Sequence, residues 1–300
     1  FYCYQSAYKW KDTKWDFVCS DEIHSCLTPE YSKFFFNNIC DIILGLSATV
    51  DTSVKYKTSE GVEYTKGDLV NQIAPVFFKY SLNDAKDNNT TKELKIYVID
   101  HHLDTHNKNI TGGTKDAPFY TTERDSYDYW DNQFKKALYL PDGTAKTFRI
   151  RNTSAARAKL LYIAPSKVKV LTKLLTELKG KTLIFGNSID ALHQITPNVI
   201  SSKQTALKNA QLRTDFDKGK INTLGSFKML KQGANLKDLD NTIIHSYYSK
   251  ELDIIQMLGR QRMSTKIGSV FILRTIGTAE TKWYDKAMLN ITNYEIIKCN

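Results

Sequence analysis

Apolar residues in this chain fall in short runs separated by polar stretches, and the runs differ in kind. Trp15-Asp16-Phe17-Val18-Cys19 and Ile39-Cys40-Asp41-Ile42-Ile43-Leu44-Gly45-Leu46 are nearly continuous. Such runs predict strands of a parallel sheet covered on both faces. Pro29 to Asn38 between them predicts a short helix with Tyr31, Phe34 and Phe35 turned to the core. Leu94 to Ile99 predicts another strand, and the polar, Asn-rich segment 83–93 before it a loop. Residues 101–126 are polar with Gly112-Gly113, which predicts a long loop or insertion. Tyr127 to Leu138 then carries Tyr127, Trp130, Phe134 and Leu138 at helical spacing, a core stripe rather than a base-stacking platform.

Pro141-Asp142-Gly143 marks a turn, and a second unit begins near Asn152. Its first helix covers Ala155 to Ile163. Pro165 opens another, with Val168, Leu171, Leu174, Leu175 and Leu178 on one face and Gly180 closing it. Strand Thr182-Leu183-Ile184-Phe185 follows at once. Alternation continues through 207–218, 221–226, 241–246, 251–261 and 268–274, the signature of a doubly wound α/β layer. The division expected from this pattern is 1–150 and 151–300.

Composition changes the picture in three ways. A formal net charge of +10 favours a polyanionic partner, although solvated surface lysine gives the same number. Five cysteines, an odd count, do not make a disulfide framework and suit a reducing, intracellular setting. Cys19, His24, Cys26 and Cys40 lack the CxxC pair of a zinc site. His101, His102 and His106 fit a solvated loop better than a metal centre. No apolar stretch approaches the ~20 residues of a membrane span. The chain shows no signal peptide and does not begin with Met, so an upstream part is expected.

The chemistry concentrates at two places. Asp21-Glu22-Ile23-His24 follows the first predicted strand. In open parallel sheets ligands sit beyond the carboxyl ends of strands. There Asp21 suits a magnesium ion and Glu22 suits the alignment of an attacking water. His24 could sense a γ-phosphate or contact the next element. Ser47 and Thr49 end the second strand, and their hydroxyls can reach His24 or the carboxylates. The other place is Gln256-Met257-Leu258-Gly259-Arg260-Gln261-Arg262, predicted to start a helix facing a nucleotide. Arginine's fixed fork suits phosphate. The alternative is a basic helix face turned to nucleic acid or solvent. Gly233-Ala234-Asn235, after Ser226, lets backbone approach a ligand or the other domain. Asp253 could accept a ribose hydroxyl or serve as a helix-start acid.

In this order the blocks resemble a superfamily 2 helicase of the DEAH/DExH type, with phage-type DNA helicases most similar. Asp21 to His24 resembles motif II, and Leu46-Ser47-Ala48-Thr49 motif III. Thr182 to Ser188 resembles motif IV, Gln232-Gly233-Ala234-Asn235-Leu236 motif V, and Gln256 to Arg262 motif VI. Tyr4-Gln5-Ser6 resembles the element before motif II that contacts the nucleic-acid strand.

The resemblance implies an α/β fold of two RecA-like lobes with parallel sheets, the first lobe incomplete. Residues 1–150 would be the C-terminal part of the first, ATP-binding lobe, and 151–300 the second, C-terminal lobe. ATP with Mg²⁺ held by Asp21 would lie in the cleft. Gln256, Gly259, Arg260 and Arg262 would approach it from the second lobe. Tyr4, Gln5, Ser6, Asn187, Ser188 and Ser226 would grip phosphates of nucleic acid, DNA in the first instance. Two departures stand out. No GxxxxGK[ST] occurs in the chain, so the resemblance implies a fragment that binds ATP poorly on its own. The family's second arginine in its last motif stands three residues after the first, where this chain has Met263. A non-hydrolysing nucleic-acid-binding fragment and an RNA helicase are the alternatives.

Overall fold

The computed structural model describes residues 2–47, 50–80, 84, 88, 94–114, 116–227, 236, 238–247, 257, 267–289, 291 and 294–299. It divides into two compact units, Phe1–Ser81 and Leu82–Asn300. The division thus falls well before the expected position near 150. The reason lies in the strand Leu94–His101, which pairs with strands of the second unit's sheet.

The first unit begins with helix α1 (Tyr4–Ala7) and strand β1 (Lys14–Ser20). A 3-10 turn, Ile23–Ser25, and a short helix α2 (Lys33–Phe36) lead to β2 (Ile39–Gly45). β1 and β2 run parallel, with Phe17 opposite Ile42 and Ser20 opposite Gly45. A small antiparallel pair, β3 (Lys55–Lys57) and β4 (Glu63–Thr65), precedes helix α3 (Lys66–Ile73). Thr65 and Asp68 form a reciprocal capping box at the start of α3. The core is Ile23, Cys26, Leu27, Leu69, Val70 and Ile73, with Tyr31, Phe35 and Ile43 packed on it.

Only one face of the β1–β2 pair meets this core. Phe17 and Ile42, side by side on the other face, are 55% and 60% exposed. The expectation of a sheet covered on both faces therefore does not hold for these strands among the described residues.

The second unit is built on a seven-stranded parallel sheet in the order β13-β5-β12-β11-β8-β10-β9. After β5 (Leu94–His101) comes an antiparallel hairpin, β6 (Ile110–Gly113) and β7 (Pro118–Thr121). The segment 101–126 is thus not one long loop. A Cβ at Gly112 would stand 2.4 Å from Phe119 Cζ, which explains glycine there. Helix α4 (Glu123–Leu138) starts four residues before the expected Tyr127, because Thr122 caps it by accepting from the Asp125 amide. Helix α5 (Thr144–Ile163) starts well before Ala155. Helix α6 (Pro165–Glu177), strand β8 (Thr182–Gly186), helix α7 (Ile189–Ile195) and strand β9 (Val199–Ile200) follow. Helix α8 (Ala206–Asp217) leads to β10 (Thr223–Phe227), β11 (Asn241–Ile244), β12 (Gly268–Thr275), helix α9 (Ala279–Met288) and β13 (Glu295–Cys299). The helix expected over 251–261 lies outside the described residues, apart from the buried Met257.

Both sheet faces are dry here. Leu183, Phe185, Leu224, Ile244, Val270 and Ile272 pack with Phe216, Tyr284 and Met288 on one side. Ile184, Ile243, Phe271 and Leu273 pack with Leu171 and Leu192 on the other. Leu94, Ile96 and Val98 join the first group, which fixes β5 in this unit.

Candidate functional site

The acidic element sits where the first unit's strands end. Ser20, the last residue of β1, is buried, and its carbonyl accepts from the Leu46 amide at 2.9 Å. The Ile23 amide donates to the Leu46 carbonyl at 2.9 Å. These bonds tie the turn carrying Asp21, Glu22 and His24 to the segment just after β2. Gly45 makes the approach possible: a Cβ there would lie 2.6 Å from Ile23 Cδ1. Glu22 holds the turn in the left-handed region, φ 50° and ψ 48°. That conformation costs a residue with a Cβ about 1 kcal/mol, and such outliers recur where geometry is over-determined by function.

Asp21 is exposed, and its Oδ1 accepts from the Glu22 amide at 3.0 Å. Glu22 Oε2 is buried without a hydrogen bond and stands 3.2 Å from His24 Nδ1. His24 Nδ1 has its closer contact with Ser47 Oγ, at 2.8 Å. Lys66, the first residue of α3, donates to the His24 carbonyl at 2.9 Å. Burial pushes the His24 pKa down; the Glu22 carboxylate opposes this and the Lys66 ammonium adds to it. Both contacts fall on the one ring nitrogen, Nδ1: carrying a proton, it can donate to the Ser47 hydroxyl or the Glu22 carboxylate, and without one it can only accept from Ser47. Lys66 was not singled out by sequence, and only proximity in space reveals it.

Tyr4 has a structural tie. Its hydroxyl lies 2.9 Å from Ser20 Oγ and donates to the Asp21 carbonyl. Gln5 and Ser6 are exposed on the same short helix. Cys26, beside Ser20, is a buried thiol whose pKa burial raises to about 11, so it is inert packing.

In the second unit, Asn187 and Ser188 follow the carboxyl end of β8. Asn187 Nδ2 donates to the Ser246 carbonyl at 3.4 Å, and Ser188 caps α7 by accepting from the Ala191 amide at 3.2 Å. Ser226 is fully enclosed within β10, between β8 and β9. Its hydroxyl is not presented to a strand of nucleic acid, which withdraws it from the expected phosphate-gripping set.

A cluster that sequence reasoning missed lies at the carboxyl ends of the adjacent strands β5, β12 and β11. Lys167 of α6 and Glu280 of α9 are both fully buried and pair at 2.5 Å. Glu280 also accepts from the Thr275 amide and hydroxyl at 2.9 and 2.7 Å. His101 stands 3.4 Å from the Thr275 hydroxyl, and burial first, then Lys167, hold its pKa down at about 3. His245, after β11, is fully buried and pushed well below the ordinary range for the same reasons. Asp100 and Arg274, opposite each other in the register, form a two-pronged pair at 2.7 Å and 2.7 Å. The His101 expected in a solvated loop is therefore a core residue at a strand end. Among the described residues no group of three or more His, Cys, Asp and Glu side chains is arranged to hold a metal.

Thr49, Gly233, Asn235, Asp253, Gln256, Gly259, Arg260 and Arg262 lie outside the described residues.

Residues 166–263 match the helicase conserved C-terminal domain. That span runs from the start of α6 through β11 and includes the Gly233 and Arg260 elements. No curated protein matches the chain. Among solved structures, S. cerevisiae Dbp5 bound to RNA and ADP BeF3 is similar with a TM-score of 0.52 at 10% identity, over 95% of this chain and 59% of that one. The ATP-dependent Type ISP restriction-modification enzyme LlaBIII bound to DNA gives 0.54 at 12% identity, over 97% of this chain and 22% of that one. The C-terminal part of the Fun30 ATPase domain gives 0.49 at 13% identity, over 66% of this chain and 90% of that one. The chain thus spans well under two thirds of Dbp5 and LlaBIII. The large parallel sheet has the fold of RecA-like helicase lobes. No helix among the described residues is long and apolar enough to cross a membrane.

Proposed function

We propose that this chain is part of an ATP-driven superfamily 2 helicase or translocase, of DEAH type and acting on DNA. In this reading residues 1–81 supply the end of the ATP-binding lobe and 82–300 the C-terminal lobe. The observation that carries it is the constellation Asp21, Glu22, His24 and Ser47 at parallel strand ends, in one chain with the helicase C-terminal match.

The donor set fits a nucleotide-bound Mg²⁺. Asp21 offers an exposed carboxylate, and Glu22 keeps a buried oxygen without a hydrogen bond, 3.2 Å from His24 Nδ1. Bound there, the ion would neutralise charge on the phosphates. Glu22 would orient the attacking water and take its proton. His24 would hold Glu22 and, through Ser47, link that carboxylate to the segment after β2. Arg260, and Arg262 one residue before the family's usual place, would stabilise the charge that develops on the transferring γ-phosphoryl group. Gly233 and Asn235 would let backbone approach the nucleotide, with Asp253 at the ribose and Gln256 and Gly259 beside the phosphates. Thr49 would share the role of Ser47. Gln5, Ser6, Asn187 and Ser188 would hold backbone phosphates, contacts that position a strand without reading its sequence.

Phosphate release by the complete protein, measured with Mg²⁺-ATP and matched DNA or RNA oligonucleotides, tests this reading. Stimulation by nucleic acid, abolished by Glu22→Gln with nucleotide binding retained, supports it. A Glu22→Gln variant that hydrolyses ATP at the wild-type rate removes it. Stimulation by RNA alone would change the track and keep the motor. The formal net charge of +10 also suits a second reading, nucleic-acid binding without turnover. Tight oligonucleotide binding with no phosphate release would select it.

A further inference from the structure

The hairpin of α4 and α5 has two ends of opposite character. Its base is anchored: Tyr127, Leu160 and Leu161 are buried with Leu103, and Arg157 stacks over Phe134 at 4.1 Å while pairing with Asp131 at 2.5 Å. Burial then stops. The last buried residue of α4 is Ala137 and the first of α5 is Thr153; none between them is buried. This free end nevertheless carries large apolar groups, Tyr139 at 89% and Phe148 at 65% exposure. Aromatic rings left in water at the end of a protruding hairpin mark a contact surface when a polar rim surrounds them.

The rim is cationic. Between residues 132 and 152 stand Lys135, Lys136, Lys146, Arg149 and Arg151, with Asp142 as the one acid. Asp142 pairs with Lys146 at 2.9 Å, and Lys135 reaches back to Asp131 at 2.8 Å. The acids of the hairpin, Glu123, Asp125, Asp128 and Asp131, sit at its base. The base also holds Arg124, Arg157 and Lys159, so charge there is mixed, whereas the tip is cationic but for Asp142. Cations within three residues of exposed rings suit a single nucleic-acid strand, since phosphates can meet the cations and any base can stack.

We infer that the tip of the α4–α5 hairpin, through Tyr139 and Phe148 framed by Lys136, Arg149 and Arg151, is a stacking site for single-stranded nucleic acid. It lies apart in sequence from every motif of the helicase resemblance. The inference rests on the proposed nucleic-acid function and adds a contact to it.

The test is fluorescence anisotropy of labelled oligothymidylate and oligouridylate with the full chain. Tyr139→Ala combined with Phe148→Ala is expected to weaken binding about tenfold or more, since each stacked base contributes that order. Arg149→Gln with Arg151→Gln is expected to flatten the salt dependence by a slope of about 1. The side chains are exposed, so an unchanged thermal melt accompanies both. Wild-type binding that the aromatic double variant leaves intact overturns the tip assignment and spares the motor reading. A wild-type chain that binds neither oligonucleotide removes both. Tighter binding to phosphatidylserine vesicles than to oligonucleotides, lost in the same variant, would assign the tip to a membrane surface and overturn the proposal.

Discussion

His24 and Ser47 meet at 2.8 Å, Nδ1 to Oγ, across the ends of two parallel strands. The contact joins the acidic turn to the segment after β2, so any shift of one is felt by the other. Ser47→Ala removes one partly buried hydrogen bond. It is expected to cost about 1 kcal/mol of the first unit's stability. It is also expected to lower nucleic-acid-stimulated phosphate release more than basal release. Denaturant titration and a stimulated ATPase assay check the two halves. Equal loss of both rates would mean that the bond only supports the turn.

Gly45 is the hinge point of that approach. Gly45→Ala places a methyl 2.6 Å from Ile23 Cδ1, and overpacking of this kind costs about 1–3 kcal/mol. Ile23→Val removes that Cδ1 and is expected to recover most of the loss in the double variant. A double-variant cycle by urea denaturation measures the coupling; simple additivity would contradict the contact.

Glu22 gives a backbone prediction. At φ 50° a glycine is unstrained, so Glu22→Gly is expected to be more stable than Glu22→Ala by about 1 kcal/mol. Both lack the carboxylate, so the difference isolates conformation. Equal stabilities would show that the turn relaxes out of the left-handed region.

The buried Lys167–Glu280 pair predicts strong non-additivity. Lys167→Met leaves a carboxylate enclosed without its ammonium partner, at a cost of about 3–5 kcal/mol. Adding Glu280→Gln keeps an acceptor for the Thr275 amide and removes the charge. The double variant is expected to be more stable than the single one by thermal melting.

His101 sets a pH dependence. Its folded pKa, about 3, lies below the ordinary 6.5. Above 6.5 the imidazole is neutral folded and unfolded, and the fold loses nothing. As pH falls from 6.5 towards 3, the unfolded chain takes up a proton that the folded chain refuses. Stability therefore falls across that window, by on the order of 4 kcal/mol at its lower end. His245 and His24, also depressed, act in the same direction. His101→Gln is expected to flatten the stability curve between pH 6 and 4. An unchanged slope would locate the acid sensitivity elsewhere.

How much of this was legible in sequence depended on distance along the chain. Strands β8, β10, β11 and β12 were visible because buried parallel strands are apolar on both faces. That Asp21, Glu22, His24 and Ser47 lie at strand ends could be read from the apolar runs before them, which are local patterns; their contacts with one another could not. The membership of β5 was not legible: Leu94 to Ile99 reads as a strand, but nothing local says which sheet will take it. The first half of α5 was missed because an exposed hairpin tip carries no apolar stripe. Lys167 and Glu280 stand 113 residues apart, so their pairing has no sequence signal. Ser226 looked available because a serine at a strand end is polar, yet its strand is enclosed on both sides.

The proposed motor requires one nucleotide to engage both the Asp21–His24 turn and the Gln256–Arg262 segment. Hydrogen exchange with mass spectrometry, run with and without Mg²⁺, ADP–beryllium fluoride and oligonucleotide, reads both peptides in one experiment. Amide protection is expected to rise in the two together, and Asp21→Asn with Glu22→Gln to abolish both gains. Protection confined to one peptide, or present in neither while nucleotide is bound, would contradict it.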